Sequence, residues 1–301
     1  MPAPQGFLRL LPLSPTPRNA VTVAREAATK GYEMASSSTF VASSGDGYEL
    51  QMGRWSRRLA EPFLDFCGCG DGDVILDAGC GTGALTAAIL RRTKTAQISG
   101  VDFSAPYIEH ARQAILDARA QFSVGDICAL TEVRGSFDRV LSLLVLHFVP
   151  APGKAIAELR RVARPGATVG AAVWDSGGLV ASRMLFDTAA ALYPSSNEWR
   201  ARNLTRPMTR PGELAKAWHA GGLTDVRDTM LTIRMEFGSF DDYWMPYEGK
   251  DGPGAEYMAT LDTDQKMHLR NVVRAAYLAG EPDGPRSYAA TAWAVKGIVP
   301  D

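Results

Sequence analysis

Three carboxylates stand at the ends of stretches with strand character: Asp77 after Val74-Ile75-Leu76, Asp102 after Ala96 to Val101, and Asp126 after Ala120 to Gly125. A carboxylate accepts hydrogen bonds and attracts cations, so such groups can hold hydroxyls or a positively charged ligand. Between the first two lies Gly79-Cys80-Gly81-Thr82-Gly83, with glycine at alternate positions. Glycines there let a ligand approach the backbone, and a helix beginning after them offers free N–H groups and a positive dipole end. The spacing leaves the nucleotide open, because Gly79, Gly81 and Ala84 also satisfy the loose dinucleotide pattern G-x-G-x-x-G/A. Asp77, two residues before the first glycine, would repel a diphosphate and suits a ligand bearing an ammonium or sulfonium. Asp102 falls about two dozen residues past the first of the glycines, where nucleotide-binding α/β folds put the acid that accepts ribose hydroxyls. His147 titrates near neutral pH in its ordinary state and could take a proton from a hydroxyl or amine.

These residues need a sheet to bring them together. Val74 to Leu76 reads as a strand buried on both faces, and Leu85, Ala88 and Ile89 recur at helical spacing after the glycines. Strands follow at 96–102, 120–126, 137–146 and 167–174. Between them lie helices opened by Ser104 with Pro106, and carried by Ala155, Ile156, Leu159 and Val162 up to Pro165-Gly166. Upstream, Trp55, Leu59, Phe63 and Phe66 share one helical face, and Pro62 is expected to kink or restart that helix. Downstream, 176–212 has no strand pattern and carries Trp199, Arg200, Arg202, Arg206 and Arg210, a run that usually means a solvated helical face. A helix over 213–222, a sixth strand over 226–237, helices over 240–279 broken at Gly252-Pro253-Gly254, and a closing strand over 287–296 complete the chain. Alternation through five strands, then a two-strand end, gives one doubly wound, Rossmann-like α/β domain of seven strands over 46–301. Helical insertions at 176–212 and 240–280 lie near the C-terminal strands.

The totals narrow the partners. A chain of 301 residues, 46% apolar, has ample material for a core, and a formal net charge of −1 provides no footprint for nucleic acid. No apolar run approaches membrane-spanning length. Cys67, Cys69, Cys80 and Cys128 form no zinc pattern and read as reduced thiols of a cytoplasmic protein, with no metal site. Residues 1–45, rich in proline and then serine, are expected to be a disordered leader; Met34 is the preferred start, with a transit peptide the other reading of this stretch. The oligomeric state is left open.

Asp77-x-Gly79-x-Gly81-x-Gly83 resembles the first motif of class I S-adenosylmethionine-dependent methyltransferases. Glu158-Leu-Arg-Arg-Val-Ala-Arg-Pro-Gly166 is similar to the segment that precedes the fifth strand in that family, and Tyr48-x3-Met52-Gly-Arg-Trp-Ser56 to the N-terminal lid of its bacterial small-molecule members. The resemblance covers about 46–297 and implies a sheet that ends in a hairpin pair with the last strand antiparallel, S-adenosyl-L-methionine as cofactor and a small molecule as acceptor. It implies that Asp77 and Gly79, Cys80, Gly81 and Gly83 hold the amino acid part. Asp102 with Phe103 would hold the ribose, and Asp126 with the N–H of Ile127 the adenine. Tyr48, Arg54, Trp55 and Leu143 would close over the cofactor. His147 is the candidate base, and Trp174 and Tyr247 are the candidate acceptor contacts. The alternatives are an NAD(P)-dependent oxidoreductase, against which Asp77, Asp126 and Pro165-Gly166 argue, and a protein that binds an S-adenosyl ligand without turnover. The acceptor and the atom methylated are not legible.

Overall fold

The computed structural model describes residues 38–40 and 43–301, so most of the expected leader lies outside the described residues. Seven strands form one sheet: β1 Val74–Ala78, β2 Gln97–Asp102, β3 Ala120–Val124, β4 Phe137–Leu143, β5 Ala163–Leu179, β6 Thr224–Phe237 and β7 Arg286–Ile298. Their order is β3-β2-β1-β4-β5-β7-β6, with the first five parallel and β7 antiparallel to both β5 and β6. This is the expected doubly wound architecture. In β1 and β4, Ile75, Leu76, Val140 and Leu141 are all fully buried, as continuous apolar strands covered on both faces must be. β6 instead alternates, with Leu231, Ile233, Met235 and Phe237 inward and their neighbours exposed.

Two apolar layers cover the sheet. On one, the helices α2 Arg54–Cys67 and α3 Ala84–Arg92 bury Leu59, Phe63, Leu85 and Ile89 beside Leu269, Val273 and Tyr277 of the last helix. On the other, α5 Pro152–Val162 and α8 Glu213–Ala220 bury Ile156, Leu159, Leu214 and Trp218. The Trp218 indole donates to the Val169 carbonyl at 3.0 Å, so its one polar atom is satisfied. Before α2 come α1 Gly45–Tyr48 and a π-helical turn Glu49–Gly53, and after β2 comes α4 Ala105–Ala114, capped by Ser104.

Some local expectations are corrected. α2 runs through Pro62 without restarting; burying Leu59, Phe63 and Leu64 outweighs the loss of one backbone donor. β3 stops at Val124, short of Asp126. β4 stops at Leu143 rather than 146, because Leu144 has φ +65°, which a pleated strand cannot continue. β5 runs on to Leu179, so 176–212 comprises the end of a strand followed by α6 Val180–Leu192 and α7 Asn197–Leu204. The segment inserted between β6 and β7 holds α9 Phe240–Trp244, α10 Gly252–Ala259 and α11 Thr263–Leu278.

Candidate active site

The strand order reverses between β1 and β4, so the connections leaving their carboxyl ends diverge and open a crevice. One cavity fills it. The ends of β1 to β3 contribute Gly79, Gly81, Asp102, Phe103, Asp126 and Ile127. β4 and β5 contribute Leu143, Val145, His147 and Trp174, and the inserted segments add Phe186, Arg206 and Tyr247. Residues far apart in sequence are thus brought to one surface, those at the strand ends by the parallel sheet and the others by the inserted segments.

Asp102 is buried at the end of β2, where its two oxygens accept from the N–H groups of Gly81 and Ser104, each at 2.9 Å. Each carboxylate oxygen has a second lone pair, so both can still accept a hydroxyl. Burial pushes its pKa up, against those two bonds. Phe103 beside it is 41% exposed, a flat apolar face turned to the cavity. Asp126 uses one oxygen on the Cys128 N–H at 2.8 Å, a turn contact, and still lines the cavity.

Asp77 lies behind the wall rather than in it. One oxygen accepts from the Thr86 N–H at 3.0 Å and the Thr86 hydroxyl at 2.7 Å; the other, Oδ1, is buried with no partner. Burial without a countercharge pushes the carboxyl up to about 7, with the Thr86 bonds opposing and the Asp102 charge adding. An orphaned carboxylate oxygen beside a glycine turn is the acceptor that a ligand ammonium requires. Gly79 is held at φ +78°, and a Cβ there would fall 2.3 Å from the Val145 side chain, whereas at Gly81 nothing lies within 4 Å. The turn is therefore tight on its inner side and open to a ligand on the other. Cys80 is buried in the turn and Gly83 caps α3; neither reaches the cavity.

In the N-terminal segment Tyr48, Gln51 and Met52 face the cavity, a helical i, i+3, i+4 set. Arg54 and Trp55, expected at the cofactor, are turned away by the same periodicity. Arg54 pairs with Asp242 at 2.9 Å and lies 4.4 Å over the Trp55 ring, which is buried against Phe237. Gln51 and Met52 were missed; counting helical spacing from Tyr48 would have found them. The segment is tied down at two points. Glu49 accepts from the Thr82 hydroxyl at 2.6 Å, and the buried Asp251 accepts from Ser43 N–H at 2.6 Å, Ser43 hydroxyl at 2.8 Å and Tyr107 hydroxyl at 3.3 Å. The Tyr48 hydroxyl contacts that of Ser56 at 2.9 Å, and burial pushes its pKa up to about 12.

His147 lines the cavity from a 3-10 turn after β4, only 4% exposed, with Nδ1 unpartnered and its ring 4.1 Å from that of Phe148. Desolvation, reinforced by the Arg206 charge, lowers its pKa to about 3. The expectation that it titrates near neutrality is corrected: its ring is neutral throughout the physiological range. Trp174 and Tyr247 both line the cavity, and burial holds the Tyr247 phenol up at about 12, hence protonated.

Fold, glycine turn and strand-end acids are similar to those of class I S-adenosylmethionine-dependent methyltransferases. Residues 75–166 match the family model described as a methyltransferase domain. Malonyl-[acyl-carrier protein] O-methyltransferase of Erwinia pyrifoliae is 33% identical over 60% of this chain and 63% of its own length. The chain spans about half the length of the first curated relatives it matches, 45% for a 37.1 kDa protein of transposon TN4556 from Streptomyces fradiae. Among solved structures, the YcgJ protein of Bacillus subtilis superposes with TM-score 0.54 at 15% identity, over 81% of this chain and 99% of that one. Phosphoethanolamine N-methyltransferase 2 of Haemonchus contortus, in complex with S-adenosylhomocysteine, gives TM-score 0.54 at 15% identity, over 85% of this chain and 57% of that one. The dinucleotide reading of the glycine turn finds no support in these matches. No helix among the described residues is long and apolar enough to cross a membrane.

Proposed function

We propose that this protein catalyses transfer of a methyl group from S-adenosylmethionine to a small-molecule acceptor. The observation that carries the reading is the convergence of Asp102, Asp126 and the Gly79–Gly81 turn on one cavity, with the orphaned Asp77 Oδ1 behind it. When bound, S-adenosylmethionine supplies an activated methyl on a sulfonium. The residues of the chain then have three tasks. Asp77 and the glycine turn hold the cationic amino acid part, Asp102 the ribose, and Asp126 with Ile127 the base. Tyr48, Gln51 and Met52, clamped through Glu49 and Asp251, form a lid that excludes water. The apolar wall of Leu143, Trp174, Phe186 and Tyr247 orients the acceptor, and such alignment is worth several kcal/mol of barrier (order of magnitude).

A neutral His147 of depressed basicity has little driving force to take a proton from a hydroxyl or amine, so we assign it to shaping the cavity and give catalysis to alignment. The unpaired thiols of Cys67, Cys69, Cys80 and Cys128 support a cytoplasmic location. Titration calorimetry with S-adenosylhomocysteine and with NAD tests the cofactor. Binding of the nicotinamide and not of the S-adenosyl ligand sinks the reading. An acceptor screen scored by S-adenosylhomocysteine release tests turnover, and release with no acceptor of a broad set would leave a binding protein.

A further inference from the structure

The basic run Trp199 to Arg210 has the composition of a solvated face, and the structure divides it. Arg202 lies over the Trp199 ring at 4.5 Å, outside the main cavity. Arg200 turns inward and pairs with Asp187 at 2.6 Å, which also pairs with Arg183 at 3.0 Å; all three line the cavity. Arg206 lines the cavity too, yet it belongs to no ion pair among the described residues. It lies 4.5 Å over the Phe148 ring and donates to Asn203 Oδ1 at 3.1 Å. These contacts fix the plane of the guanidinium without neutralising it. Glu256 acts on it only through space, and burial brings its pKa down to about 10, still charged at neutral pH. The segment after β5 therefore brings three guanidinium groups and one carboxylate to this cavity, while the acids Asp102 and Asp126 come from the end of β2 and the turn after β3.

A second observation is independent of charge. Trp174, 5% exposed, lines the same cavity, and its indole Nε1 is a buried donor with no partner. Buried donors in folded proteins are nearly always matched by an acceptor. A half-buried guanidinium without a carboxylate costs stability that an arriving anion would return, and its fork fits a carboxylate with two parallel bonds.

We propose that the acceptor is a small carboxylic acid, its carboxylate held by Arg206 and its apolar part lying among Leu179, Phe186 and Leu204. This rests on the methyl-transfer reading for the identity of the ligand as an acceptor, though not for the anion site itself. Of the three guanidinium groups only Arg206 meets no carboxylate, so the wall offers one free planar fork among apolar side chains, which a single carboxylate fills with two parallel bonds.

The test measures binding of octanoate and 3-phenylpropanoate, of their neutral amides, and of phenylphosphonate, to the full chain with and without saturating S-adenosylhomocysteine. At least one acid is expected to bind ten times or more tighter than its amide and tighter than the phosphonate. Arg206→Met, which keeps the stem over Phe148, is expected to abolish the acid preference with the S-adenosylhomocysteine dissociation constant unchanged. Arg206→Lys, which keeps the charge but loses the fork, should retain part of it. Amides that bind as well as acids, acids that do not bind at millimolar concentration, a phosphonate that binds tightest, or an acid preference surviving in Arg206→Met each overturn the proposal. Failure to bind S-adenosylhomocysteine would strike the methyltransferase reading instead, and the contrast between acid and amide would still be measured on the free protein.

Discussion

Replacing Asp77 with asparagine is expected to stabilise the ligand-free protein at pH 8 while removing its affinity for S-adenosyl ligands. Asp77 is fully enclosed, with one oxygen bonded to Thr86 and the other unpartnered, and its folded pKa of about 7 compares with the usual 3.8. That shift amounts to about 4 kcal/mol at most. Its sign follows from linkage. Between pH 3.8 and 7 the unfolded chain releases a proton that the folded protein keeps, so stability falls as pH rises through that window. Asparagine has no proton to lose, so its advantage over the wild type grows by about 2–3 kcal/mol from pH 5 to pH 8. Burying a second amide N–H beside the turn offsets part of this, by about 1–3 kcal/mol at either pH. For a domain of this size a net 2 kcal/mol at pH 8 raises Tm by about 4–8 °C. Thermal unfolding of both proteins at pH 5 and pH 8 measures the difference, and other titrating groups cancel in the comparison. A difference that is the same at both pH values refutes the argument, because the carboxyl would then not be held protonated by burial. Calorimetry on the same samples should show S-adenosylhomocysteine binding to the wild type and not to the variant.

Asp102→Ala should weaken S-adenosyl ligand binding by about 1.5–3 kcal/mol through loss of hydrogen bonds to a charged acceptor; an unchanged dissociation constant moves the ribose site elsewhere. Gly79→Ala forces a Cβ to within 2.3 Å of Val145 at φ +78°, and should cost about 1–3 kcal/mol of stability as well as cofactor binding, read by denaturant unfolding. Asp251→Ala leaves the donors of Ser43 and Tyr107 without their acceptor; amide exchange over 43–48 should accelerate and the folded state lose about 1–3 kcal/mol. His147→Asn should leave turnover within a few-fold of wild type, with no break in the wild-type pH–rate profile between pH 5 and 8, since the ring is already neutral there. A tenfold fall, or a break near pH 6.5, would restore His147 as the base.

The strands and the acids at their ends were legible because a parallel sheet imposes local rules. Strands covered on both faces must be runs such as Val74-Ile-Leu76, and the crevice of a doubly wound sheet lies at their carboxyl ends, where Asp102 and Asp126 stand. The glycine turn was legible because Gly79 lies where a side chain does not fit. Tertiary structure decided the directions in which side chains point and the state of each polar group. Arg54 and Trp55 were the residues expected at the cofactor, but rotation of the chain through a π-helical turn put Trp55 into the core, Arg54 against Asp242, and Gln51 and Met52 at the cavity. His147 carried the pKa of its type until burial beside Arg206 removed it. Arg200, Arg202 and Arg206 are alike as letters; whether a guanidinium meets Asp187, lies on Trp199 or faces a cavity without a carboxylate depends on partners distant in the chain or differently turned toward it. Propensity and periodicity act over a few residues, whereas desolvation and charge pairing are set by whatever the fold brings within a few ångströms, and only the assembled structure contains that information.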